Sequence, residues 1–321
     1  MDPKRRRIVV YCLVGAVVLS VVVTALYPGS RVARRGLYGV AGVSLGDAIG
    51  VIYIEGEITG GHSTSGILGG TLGGDTVLSY IRQAQNDPSI KALVLRINSP
   101  GGSAAASDEI SEEIKKFRRS GRKVVASMAD VAASGAYWVA CSADKIWASQ
   151  GTMTGSIGVI FEITRLEELY KKIGVDIDVI KSGAYKDIGS TARPLTDEER
   201  KILQSMVDDV FDQFVTTVAE GRKMSRENVV KIADGRVFTG RQAKDLGLVD
   251  ELGNMYDAVN DAARLAGLKS WTLREYGRLS PLERLLQNFP SDMGSHAVGL
   301  TGDRFHDALW ILRQIVKMPG Y

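Results

Sequence analysis

The chain has 321 residues, 45% of them hydrophobic and 24% charged, with a formal net charge of +3. That length and apolar content suffice for one or two domains with a sizeable core, and the small, evenly spread charge argues against a nucleic-acid-binding stripe. With two cysteines (Cys12, Cys141) and three histidines (His62, His296, His306), a disulfide framework is excluded, zinc hydrolysis has almost no support and a Ser-His-Asp triad is weakened. No phosphate-cradling GxxxxGK loop is present, and neither a cofactor nor a metal is expected.

At the amino terminus, Lys4, Arg5, Arg6 and Arg7 precede residues 8–27, a stretch without charge. At about 1.5 Å per residue, roughly 20 apolar residues span a hydrocarbon core. Residues 1–28 are therefore expected to form a basic tip and one N-terminal transmembrane helix. The positive-inside tendency puts the N-terminus in the cytoplasm and the bulk of the chain outside it, at the cell membrane. Arg31, Arg34 and Arg35 on the other flank make that bias shallow. The rival is a cleaved signal peptide ending at Val23-Thr24-Ala25, but the apolar run is longer than the usual signal core. Residues 29–47, rich in Gly, Arg and Ser, read as a linker.

From Ala48 the pattern alternates. Residues 49–54, 90–97, 123–128 and 145–148 are short β-branched or apolar runs of strand length, whereas 76–85 and 106–117 have helical periodicity. Such alternation predicts an α/β domain, spanning 48–269, with a largely parallel sheet. A Gly-rich segment at 60–74 reads as a loop or a substrate-facing lid. A strand is expected around 177–180. A helix is expected over 196–221, opened by a capping box of Thr196 and Glu199, with Ile202, Met206, Val210, Phe214 and Val218 on one core or interface stripe. Residues 270–321 read as a tail, in which 282–289 and 305–316 have the spacing of short amphipathic helices.

Four segments carry chemistry together. Asn98-Ser99-Pro100-Gly101-Gly102 follows a strand, and its glycines let backbone N–H groups approach a ligand. Two such groups aimed at one point make an oxyanion hole, although Pro-Gly-Gly is also an ordinary turn. Ala133-Ser134-Gly135-Ala136-Tyr137 would expose a serine at the start of a helical run to Cys141, where a plain N-cap serine is the rival. Thr154-Gly155-Ser156-Ile157-Gly158-Val159 reads as a turn running into a strand. Lys181-Ser182-Gly183-Ala184-Tyr185-Lys186-Asp187 supplies two lysines that, taken singly, read as solvated charges. A free lysine titrates near 10.4, so one acting as a base at neutral pH needs a drop of roughly 3 units, about 4 kcal/mol. Desolvation supplies shifts of that size, and Ser156 is available to orient such an amine.

Taken in order and spacing, these four motifs closely resemble the signal peptide peptidase A family in its short bacterial form. The likeness continues through Asp234-Gly235-Arg236-Val237-Phe238-Thr239-Gly240 and the segment from Ala243 to Asp250. The resemblance implies a crotonase-like (ClpP-like) fold and a membrane-anchored serine endopeptidase that degrades remnant signal peptides by acyl transfer. It implies Ser134 as nucleophile, Lys186 as general base, Ser156 as the lysine-orienting hydroxyl, and the N–H groups of Gly101 and Ser134 as the oxyanion hole. Hydrophobic peptides, the lipid bilayer and a ring-shaped homo-oligomer are the implied partners, and nucleic acid is not among them. Within that ring a neighbouring protomer is available to complete the dyad. Ala136 and Trp138 are bulkier than the residues usual after the family's nucleophile, which bears on pocket shape. A crotonase-type enzyme acting on acyl-CoA is a rival, but Asp108, Asp130 and Asp144 near the motifs form no evident acid–base pair. A catalytically idle scaffold is disfavoured by the intact Ser134, Ser156 and Lys186 set.

Overall fold

A computed structural model of the chain describes residues 46–63 and 72–277. The expected transmembrane helix, the linker up to residue 45 and the tail from residue 278 lie outside the described residues, as does 64–71 of the Gly-rich segment. Among the described residues no helix is long and apolar enough to cross a membrane.

The strands are β1 (Ala48–Glu55), β2 (Ile58–Thr59), β3 (Leu72–Gly73), β4 (Ile90–Ser99), β5 (Lys123–Ala133), β6 (Lys145–Ala148), β7 (Met153–Gly155), β8 (Val237–Thr239), β9 (Glu251–Leu252) and β10 (Thr272–Tyr276). The helices are α1 (Gly74–Asn86), α2 (Ala104–Arg119), α3 (Gly135–Cys141), α4 (Glu167–Ile173), α5 (Asp197–Arg222), α6 (Arg226–Val230), α7 (Gly240–Asp245) and α8 (Met255–Leu265). Eight strands form one sheet in the order β10-β1-β4-β5-β6-β9, with β7 attached to β5 and β8 to β7. Every pairing in it is parallel except β7 with β8. The protein is thus a mixed α/β fold with a largely parallel sheet.

Strand periodicity sorts the core into two layers. In β1, Ile52 and Ile54 face the side packed by Val77 and Ile81 of α1, Ile110, Ile114 and Phe117 of α2, and Tyr137 of α3. Ile49 and Val51 point the other way, with Ala92, Val94 and Val125, onto Ala258, Val259 and Ala262 of α8. A parallel sheet covered on both faces needs apolar residues on both, so these strands are near-continuous hydrophobic runs.

Five differences from expectation matter. The strand starting at Lys123 runs to Ala133 and delivers the chain straight to Ser134. Within 153–159 the strand comes first, at 153–155, and 156–159 follow without regular structure, where a turn running into a strand was expected. No strand forms at 177–180; Ile177, Val179 and Ile180 are exposed, with no neighbouring strand to satisfy their backbone groups. Thr272–Tyr276, read as the start of the tail, is instead an edge strand paired in parallel with β1. The capping box on α5 forms between Thr196 and Glu199, but only the C-terminal end of the expected stripe is buried: Phe214 and Val218 are core, whereas Ile202 and Met206 are exposed.

Candidate active site

Adjacent strands end beside one another and present the motifs at one end of the sheet. Ser99 of β4 pairs with Ala132 of β5, and Ala133 of β5 pairs with Gly155 of β7. The residues just beyond those strand ends, Gly102, Ser134 and Ser156, therefore meet, and they line one cavity of about 660 Å³ together with Gly135. That volume suits a peptide side chain and its flanking backbone. Trp138, Val159, Val207, Phe211 and Phe214 supply most of its apolar wall, with the Trp138 and Phe214 rings stacked at 4.9 Å.

The backbone at both serines is unusual. Ser134 has φ 52° and ψ −126°, and Ser156 has φ 50°. An L-residue held at positive φ costs of order 1–3 kcal/mol, and surrounding structure must hold it there. At Ser134 those constraints are visible. Its N–H donates to the carbonyl oxygen of Gly155 at 2.9 Å, and its own carbonyl accepts from Tyr137 and Trp138 in the first turn of α3. Ser156 is held by its N–H, which donates to the carbonyl oxygen of Arg236 at 2.8 Å. Thr154 fixes the strand end before it by donating its hydroxyl to the carbonyl oxygen of Ala132 at 2.7 Å.

Gly101, at φ 102°, packs against this turn: a Cβ there would stand 2.7 Å from the carbonyl oxygen of Ala133 and 2.8 Å from the Ser134 Cβ. Glycine is required at 101 on both counts.

The two N–H groups expected to form the oxyanion hole are already engaged. That of Gly101 donates to Ser99 Oγ at 3.1 Å and that of Ser134 to Gly155. One residue further along in each motif the situation differs. Gly102 and Gly135 both border the cavity, and neither N–H has an acceptor among the described residues. The Gly102 nitrogen lies 3.4 Å from where a Cβ on Gly135 would be. The motif strings pointed to these loops, but which amide faces the cavity depends on φ at each glycine, which residue type alone leaves open.

Lys186 stands apart. It is exposed, it does not line the cavity, and its Nζ makes no hydrogen bond or ion pair among the described residues. The described residues of its own chain leave it uncovered, whereas a lysine base needs burial. Lys181, by contrast, is occupied: its Nζ contacts Asp187 at 2.6 Å and the carbonyl oxygen of Ala184 at 3.0 Å. Cys141, on α3, is a free thiol, buried and pushed up to about 12 by that burial. Among the described residues there is no cluster of His, Cys, Asp and Glu fit to hold a metal.

Comparison with known proteins bears on the family. Protease 4 of Salmonella typhi is 44% identical over 231 residues, which are 72% of this chain and 37% of that one. A protease relative from Synechocystis sp. is 51% identical over 177 residues, 55% of this chain and 64% of its own. The serine protease SPPA, chloroplastic, of Arabidopsis thaliana is 34% identical over 258 residues, 79% of this chain and 38% of that one. The chain thus spans less than two thirds of the length of each of these relatives. Among solved structures, a ClpP1 mutant from Listeria monocytogenes aligns at a TM-score of 0.42 and 17% identity, covering 65% of this chain and 94% of that one. Residues 116–269, which contain Ser134, Ser156 and Lys186, match Peptidase family S49, and with these relatives they show that the chain belongs to that family.

Proposed function

We propose that this protein is a serine endopeptidase in which Ser134 attacks the peptide carbonyl and Lys186 of a neighbouring copy accepts its proton. The observation carrying the reading is the pairing of two strained serines, Ser134 and Ser156, in one apolar-walled cavity at the ends of β5 and β7. Backbone strain of that kind collects where geometry is held for chemistry.

In the proposed reaction the Ser134 Oγ bonds to the substrate carbonyl carbon while its proton passes to the neutral lysine amine. The N–H groups of Gly102 and Gly135, in place of the pair first expected, hold the oxyanion. As the C–N bond breaks, the lysinium returns the proton to the leaving amine. Water, deprotonated by the same amine, then releases the acyl-enzyme and restores the Ser134 hydroxyl. Ser156 orients the incoming amine within the cavity.

A base from a second copy is favoured over one from the same chain because Lys186 is exposed and outside its own cavity. Exposed apolar residues in the stretch leading to it, Ile177, Val179, Ile180 and Tyr185, support burial against another subunit. A crotonase-like ring, a membrane anchor at residues 8–27 with the protease domain extracytoplasmic, and remnant signal peptides as substrates complete the proposal, supported by the motif resemblance and the uncharged N-terminal run. An apolar-walled cavity accords with hydrophobic peptides.

Subunit mixing tests it. Ser134→Ala and Lys186→Ala proteins should each fail to cleave a fluorogenic hydrophobic peptide, and co-assembly of the two should restore cleavage. Cleavage by Lys186→Ala alone would sink the assigned base, and no recovery on mixing would return the base to the same chain.

A further inference from the structure

The segment carrying Lys186 has no regular structure from Gly174 to Pro194 apart from turns, yet it is tied down by an unbroken chain of charges. The Arg193 guanidinium grips two carboxylates at once. Toward Asp187, its Nε donates to Oδ2 at 2.9 Å and its Nη2 to Oδ1 at 2.8 Å. Toward Glu199, Nη1 donates to Oε2 at 2.8 Å and Nη2 to Oε1 at 2.5 Å. Lys181 Nζ adds a contact of 2.6 Å to Asp187 from the other side of the loop. Glu199 is the buried end of this chain, only 2% exposed, and its Oε2 also accepts from the Thr196 N–H in the capping box of α5. One planar fork thus joins the residue next to Lys186 to the start of a 26-residue helix.

Successive turns complete the mount: the Lys186 N–H donates to the carbonyl oxygen of Gly183, and that of Ser190 to the carbonyl oxygen of Asp187. The Leu166 N–H donates to the carbonyl oxygen of Thr191, and the Tyr170 and Thr191 hydroxyls bond each other at 3.0 Å. Every one of these bonds fixes backbone or a neighbour, and none engages the Lys186 amine. The loop therefore holds its lysine outward on an ordered base, ready for a surface other than its own.

We propose that Arg193 is a positioning residue: through Asp187 and Glu199 it fixes the backbone under Lys186, so that one subunit presents a pre-aimed amine to the Ser134 cavity of the next. This rests on the reading of Lys186 as the base. Arg193 touches no substrate in this scheme; it acts only through the loop. Lysine cannot replace it, because an ammonium offers no planar pair of donors to each carboxylate.

The test uses full-length Arg193→Lys and Arg193→Gln proteins, with Lys171→Gln, which loses the exposed Lys171–Glu167 pair at 2.8 Å on α4, as a control. Misplacement of a catalytic group by about 1 Å costs of order 10²-fold, so both Arg193 variants should lose about that factor in kcat with KM changed by less than about twofold. The control should keep the wild-type kcat. Arg193→Gln mixed with Ser134→Ala should recover cleavage, since the second protein brings an intact lysine mount to the first one's serine. A general folding defect would not be cured by that mixing. Hydrogen exchange should quicken in 183–190 of Arg193→Gln and stay unchanged in β4 and β5. An inactive Lys186→Ala protein beside Arg193→Gln with wild-type kcat would overturn this inference alone, whereas a fully active Lys186→Ala protein would overturn the assigned base and the inference with it.

Discussion

The Ser107 hydroxyl occupies the space where a side chain on Gly135 would begin: a Cβ at 135 would stand 2.4 Å from Ser107 Oγ. Ser107 is fully buried, and its hydroxyl donates to the carbonyl oxygen of Ser103 at 2.9 Å, so it cannot swing clear without leaving a buried polar group unpaired. One buried hydroxyl thus braces the turn after Gly102 and presses on Gly135, the two residues assigned to the oxyanion hole.

Gly135→Ala is accordingly expected to overpack this contact, at a cost of about 1–3 kcal/mol, and to abolish labelling of Ser134 by a fluorophosphonate. Thermal denaturation and labelling together check it. Adding Ser107→Gly, which removes the obstructing atoms, should recover part of the lost melting temperature.

Ser134 lies at φ 52° in backbone that glycine adopts freely. Ser134→Gly should therefore stabilise the fold by about 1 kcal/mol while eliminating cleavage. Denaturant unfolding measures the first effect and peptide hydrolysis the second. A loss of stability would show that the turn is not strained.

Cys141 is pushed up to about 12 by burial, from an ordinary value of 9.0. Its folded value lies above its unfolded one, so the protonated thiol favours the folded state. That contribution is whole below about pH 9 and is lost as pH rises towards 12. In a Cys12→Ser background, the native protein should resist a thiol-alkylating reagent at pH 8 and react with it on unfolding. Stability should begin to fall above pH 9, and Cys141→Ala should flatten that slope.

Glu199 shifts in the opposite direction. Hydrogen bonds from the Arg193 guanidinium, then the Thr196 N–H, bring its carboxyl from 4.5 to about 2. Arg193 first and Lys181 second hold the Asp187 carboxyl well below the usual carboxylate range. Folded values below unfolded ones favour the folded state above about pH 4.5, and that advantage disappears as pH falls towards 2. In carbon-detected NMR the Glu199 carboxyl of wild type should titrate near 2. In Arg193→Gln it should move back towards 4.5, and acid unfolding of that variant should begin at higher pH.

Local pattern was a good guide wherever local forces decide structure. The strands beginning at Ile90 and Lys145, the helix capped by Thr196 and the helix running to Cys141 follow from β-branched runs, capping chemistry and periodicity. The segment at 177–180 misled because Val175, Ile177 and Val179 alternate with Asp176 and Asp178 like a strand. Alternation gives a strand only where another strand supplies the ladder, and among the described residues none does. Thr272–Tyr276 shows the converse: a short polar sequence became a strand because the edge of β1 was open to it.

The sequence by itself determined the α/β class, the family, and that Ser134 stands between a strand and a helix, because short-range periodicity and motif spacing encode those features directly. Only the tertiary structure decided that the two serines share a cavity, that the free amides beside them belong to Gly102 and Gly135, and that Lys186 stands outside its own cavity. Those outcomes depend on strand register and on φ at individual residues. Both are fixed by how distant segments pack against each other, which residue types in a linear string do not specify.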